Sequence, residues 1–140
     1  MEFKSVLKIN GASQEFIEAP QLIKTARRDI VLLHDYETEI GTYEWAGLTF
    51  KNTISFKVTS EDCLKEYMLG TLDTLVEVIN SWWIEETKNN FRGDEEFNFK
   101  HYLIFFEDYG CYEFIAENVV NDINLIKNLP IHQTKITLGD

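Results

Sequence analysis

Cysteine is nearly absent from this sequence: Cys63 and Cys111 are the only two. Two thiols make no disulfide framework, and their scarcity predicts a reducing, cytoplasmic setting. Proline is equally rare, with two residues, and no Pro- or Gly-rich linker divides the chain. The sequence therefore reads as one globular domain over residues 1–140. No apolar run approaches the ~20 residues a membrane span needs. The start, Met1-Glu2-Phe3-Lys4, has no signal-peptide apolar core. Basic residues are also few, 13 against 24 acids, for a net charge of −11. Nucleic-acid binding needs a basic footprint, so that class is excluded, and anionic membrane surfaces are disfavoured.

Chemical motifs are missing too. There is no P-loop, no G-x-G-x-x-G, no H-E-x-x-H and no G-x-S-x-G elbow. His34, His101 and His132 lack ligand spacing, and the cysteines form no C-x-x-C pair. The expectation is a protein with no metal and no cofactor.

What is present is a core. Hydrophobic residues make up 44% of the chain and aromatic residues 14%. A domain of this size buries roughly two-thirds of its unfolded surface and needs no covalent staple. The acidity is uneven. Residues 1–28 hold three acids against five bases, and residues 29–140 hold 21 against eight.

Periodicity suggests strands over 2–10, 29–40 and 96–107, with a last short one over 131–138. Residues 43–60 read as a hairpin or one long bent strand, with Lys51-Asn52-Thr53 as turn or bulge. A short helix or irregular stretch is expected over 21–28. Thr59 or Ser60 is placed to cap a helix that Gly70 ends. Leu72, Leu75, Val76, Ile79 and Trp83 recur at i, i+3, i+4, which predicts a helix over 71–88. Asp108-Tyr109-Gly110 is expected to turn into a second helix over 111–126. Ile79 and Leu103 are expected in the core. The fold class that follows is α+β: a mainly antiparallel sheet of four to six strands, with helices packed on one face.

Four features invite a functional reading. Asp35, Glu37 and Glu39 fall at period two on one strand face, with Glu44 close by. The row is either a solvated sheet face or a surface for Arg and Lys groups. Trp82 and Trp83 are adjacent on the expected helix and point about 100° apart. Trp83 continues the core stripe, which leaves Trp82, beside Glu85 and Glu86, as an interface anchor. Cys111 follows Gly110 at an expected strand-to-helix turn, where a helix N-terminus lowers a thiol pKa. Glu107, Asp108 and Glu113 crowd it and oppose that effect. His101 is expected as a hydrogen-bonded core histidine rather than a general base.

Two blocks carry a family resemblance. The first is Glu39-Ile40-Gly41, Phe50, Ile54-Ser55-Phe56-Lys57-Val58-Thr59-Ser60 and Cys63-Leu64. The second is His101-Tyr102-Leu103-Ile104, Glu107-Asp108-Tyr109 and the stretch through Ile115. Together these resemble the immunity protein 8 family of bacterial polymorphic toxin systems. The resemblance implies a non-enzymatic domain that neutralises a cognate toxin by covering its active site. Acidity agrees with a basic protein partner, since opposite charge steers association. The expected contacts are Asp35, Glu37, Glu39, Glu44, Trp82, Glu85 and Glu86. The alternatives are a structural or assembly subunit, a homodimer, and a cysteine-dependent enzyme using Cys111.

Overall fold

The computed structural model describes residues 2–8, 19–39, 41–121 and 136–137. In chain order its strands are β1 (Glu2–Lys8), β2 (Gln21–Lys24), β3 (Ile30–Glu39), β4 (Thr42–Thr59), β5 (Thr74–Ile79), β6 (Lys100–Phe106), β7 (Gly110–Val120) and β8 (Ile136–Thr137). One α-helix, α1 (Trp82–Asn90), lies between β5 and β6. The strands form a single sheet in the order β1-β5-β6-β7-β4-β3-β2-β8. Every neighbouring pair of strands runs antiparallel. The expected mainly antiparallel sheet is present, with more strands than expected and less helix. Among the described residues α1 is the one α-helix, beside three short 3-10 turns.

The long strand β4 is the bent strand anticipated for 43–60. Its pairing with β7 shifts register between Thr53 and Ser55, and Asn52 adopts φ 49°. Asparagine tolerates that left-handed backbone better than most residues. Residues 21–28 resolve into β2 and a 3-10 turn over Ala26–Arg28. Ser60 does cap, accepting a hydrogen bond from the Asp62 amide, but what it caps is a 3-10 turn over Glu61–Cys63.

Two expected helices are corrected. The span 71–88 divides at Asn80, which sits at φ 59°. Before it lies strand β5, and after it Ser81 caps α1 by accepting from the Ile84 amide at 3.1 Å. Thr74-Leu75-Val76-Glu77-Val78-Ile79 is rich in β-branched side chains, which favour a strand. Leu75, Val76 and Val78 are buried there, whereas Ile79 is only partly covered. The span 111–126 is strand β7 as far as Val120, and 122–126 lie outside the described residues. Asp108 (φ 70°) and Gly110 (φ 106°) make a hairpin turn from β6 rather than a helix entry. From Cys111 to Ala116 every residue is buried, as befits an interior strand covered on both faces.

The main core occupies one face. Leu22, Ile30, Leu32, Leu48, Phe50, Tyr102, Ile104, Phe106, Tyr112 and Phe114 pack into one cluster. Phe50 and Tyr102 lie on strands two places apart, yet their ring centroids are 5.8 Å apart. The sheet therefore curls, with this cluster on its concave side. The opposite face carries two smaller clusters, one around Met68, Val76, Val78, Leu103 and Cys111, the other around Ile23, Val31 and Leu33. It is this second face that positions the site.

Candidate functional site

Three polar side chains meet beneath α1. Ser81 is held by the turn between β5 and α1, His101 by β6 and Glu113 by β7. The β6–β7 register pairs His101 with Ile115 and Leu103 with Glu113. His101 and Glu113 are therefore diagonal neighbours on one face, within reach of each other. His101 Nε2 lies 2.9 Å from Glu113 Oε1, and His101 Nδ1 lies 2.7 Å from Ser81 Oγ. All three residues are buried. In the tautomer protonated at Nε2, that nitrogen donates to the Glu113 carboxyl oxygen. The other ring nitrogen then offers its lone pair to the Ser81 hydroxyl.

The surroundings are aromatic and cationic. Trp83 meets the His101 ring edge-on at 5.0 Å. Lys57, opposite Glu113 in the β4–β7 ladder, places Nζ 4.3 Å from the Trp83 ring centroid. The same Nζ stands 3.8 Å from Glu113 Oε2. Burial first, then the negative Glu113, push the Tyr67 phenol up to about 12. A cavity of about 290 Å³ opens onto this group, lined by Lys57, Lys65, Tyr67, Ser81, Trp82, Trp83, Glu86 and His101. On the other side of Trp82 lies a more open depression of about 570 Å³, lined by Asn80, Ser81, Trp82, Glu85, Glu86 and Asn89.

Trp82 is 67% exposed, with Glu85 and Glu86 exposed beside it on the same helix. Trp83 turns towards His101 but is only partly buried, so it is not the core residue expected. The acidic row does not stay together. Asp35 is only 2% exposed and pairs with Trp45. Glu44 is exposed, but it pairs with Tyr36 and so takes the opposite sheet face from Asp35. The β3–β4 register also shifts between Glu37 and Glu39; the side chains of those two lie outside the described residues.

Cys111 stands near the start of a strand, with no helix N-terminus to lower its pKa. Burial foremost, and then Glu113, raise the thiol far above its ordinary range. His34 Nδ1 donates to the Asp35 backbone carbonyl at 3.3 Å. His101 is buried and hydrogen-bonded through both ring nitrogens. Its partners were not foreseen. The signals were a serine ahead of a Trp pair, and a lone glutamate inside the apolar run Cys111–Ala116.

Among the described residues no helix is long and apolar enough to cross a membrane, and no three His, Cys, Asp or Glu side chains cluster as metal ligands. No protein family, curated protein or solved structure matches this chain.

Proposed function

We propose that this chain is a protein-binding domain that acts by occlusion, its contact face centred on Trp82, Glu85 and Glu86. The observation that carries this reading is Trp82 itself. An indole two-thirds exposed on a short capped helix, beside an open depression, is an unusual use of a large apolar side chain. Rings of this kind supply anchors at protein interfaces. The flanking carboxylates, on a chain of net charge −11, favour a basic partner and speed its approach. Covering a toxin's active site, the role implied by the immunity-family resemblance, needs only such a face and no chemistry.

The experiment is co-expression with a polymorphic toxin domain encoded beside this chain. Growth should be restored by the wild type and not by Trp82→Ala combined with Glu85→Lys and Glu86→Lys. Circular dichroism should show the variant folded with an unchanged melting temperature. Full protection by that folded variant would sink the reading.

A second reading, an assembly subunit or homodimer, draws on a different surface. Phe56 and Val58 are exposed on β4, two residues apart. Association through that apolar strip would persist in molar salt, whereas charge-steered binding slows. Sedimentation of the isolated chain at low and high salt separates the two.

A further inference from the structure

We propose that Ser81, His101 and Glu113 form an acyl-transfer site that hydrolyses small esters. The inference is independent of the binding reading and rests on the geometry beneath α1. A serine hydroxyl becomes a nucleophile when a base accepts its proton and a third group orients that base. Ser81 Oγ and His101 Nδ1 are 2.7 Å apart, and His101 Nε2 and Glu113 Oε1 are 2.9 Å apart. These are hydrogen bonds of ordinary good length, made by buried groups.

Three further features match this chemistry. Ser81 and His101 both line the same 290 Å³ cavity, so the reacting atoms are accessible although the relay is screened from water. The backbone enters Ser81 from a strand through Asn80 at φ 59° and leaves it into a helix. Such a turn projects the serine from the sheet. Trp82 and Trp83 follow Ser81 in the first turn of α1, where amides have no intrahelical acceptor and the helix dipole is positive, which favours an anion next to Ser81. The aromatic walls and small volume suit a short acyl or aryl ester.

In the first step Ser81 Oγ bonds to the ester carbonyl carbon while its proton passes to His101 Nδ1. The carbonyl oxygen takes the displaced electron pair. Collapse breaks the ester C–O bond, and the departing alkoxide takes the proton from Nδ1. Water then attacks the acyl-serine in the same way, gives its proton to Nδ1, and the proton returns to Ser81 as the acid leaves. The net reaction is ester plus water to acid plus alcohol. Glu113 touches no reacting atom; it is a positioning residue that holds the His101 tautomer.

The alternative is that Ser81 serves only as the cap of α1, with His101 and Glu113 as buried polar support. A fluorophosphonate probe and p-nitrophenyl acetate, applied to the full chain, decide between them. Ser81→Asn retains a good helix cap and removes the nucleophile. The wild type should gain one phosphonyl adduct mapped to Ser81 and hydrolyse the ester above the buffer rate. Ser81→Asn, with its melting temperature preserved, should lose the adduct and ~100-fold or more in rate. In Glu113→Gln, kcat should fall with KM unchanged. An unlabelled wild type, an adduct on another residue, equal rates in wild type and Ser81→Asn, or an unchanged kcat in Glu113→Gln would overturn the proposal.

Discussion

His34 and Phe106 face each other with ring centroids 5.5 Å apart, although their strands are three places apart in the sheet. In a flat sheet that separation is roughly 14 Å. The curl is thus deep enough for β3 to close over β6, and Phe106 is the fully buried ring on which it closes. Phe106→Ala should lower the unfolding free energy by about 3–5 kcal/mol, read from urea denaturation. A loss below about 1 kcal/mol would mean that the concave face is not packed as described.

The same contact fixes a pH dependence. Burial lowers the His34 pKa to about 4, against a smaller upward effect from its bond to the Asp35 carbonyl. The unfolded chain takes up this proton near pH 6.5, whereas the folded chain waits until about 4. The contribution to stability is therefore complete above about 6.5 and lost as pH falls towards 4. Its size is on the order of 3 kcal/mol. His34→Gln should show a correspondingly smaller loss of stability between pH 7 and 4.5. Identical acid sensitivity in both proteins would exclude His34 as the source.

Asp73 acts in the opposite sense. It is buried, its Oδ1 meets no hydrogen-bond donor among the described residues, and its pKa is raised to about 6. Burial is the main cause, Glu107 adds to it, and Lys8 opposes it. A raised carboxyl pKa means that charging the folded form is unfavourable. The penalty is absent below about 4, grows between about 4 and 6, and persists above. Asp73→Asn removes it and suits the backbone, since residue 73 sits at φ 55°. The variant should be about 1–2 kcal/mol more stable at pH 7 and no more stable than wild type at pH 4. Stabilisation that is equal at both pH values would point to something other than charge.

What could be read in the sequence follows from which signals were local. β3 shows a clear transition from apolar to alternating residues, and its observed limits fall one residue inside those expected. Lys51-Asn52-Thr53 marks a turn or bulge in β4; Asn52 does take a left-handed φ, but the register shifts just beyond it, between Thr53 and Ser55. β5 was hidden because Leu72, Leu75, Val76, Ile79 and Trp83 fit a helical stripe across a segment that changes conformation at Asn80. β7 was hidden because a strand buried on both faces loses its alternation. The exposure of Trp82 was legible from helical geometry alone. The Ser81–His101–Glu113 group was not, since it depends on the register of β6 against β7 and on where α1 begins. Asp35 was misplaced for a related reason: period two places a residue on a face but does not say what covers that face.

Two glycines test the hairpin that replaces the second expected helix. Gly110 has φ 106°, and a Cβ built there would come within 2.2 Å of the Thr59 carbonyl oxygen on β4. Gly41 also has positive φ, 80°, but a Cβ there meets nothing within 4 Å. An alanine at either position bears the strain of a backbone that L-residues avoid, about 1–2 kcal/mol. Only at position 110 does it also force two paired strands apart, because the obstructing atom is backbone and cannot rotate away. Gly41→Ala should therefore cost about 1–2 kcal/mol, and Gly110→Ala about 3 kcal/mol or more. Thermal unfolding of the two variants side by side measures the difference. Equal losses would mean that β4 and β7 do not approach closely at Gly110.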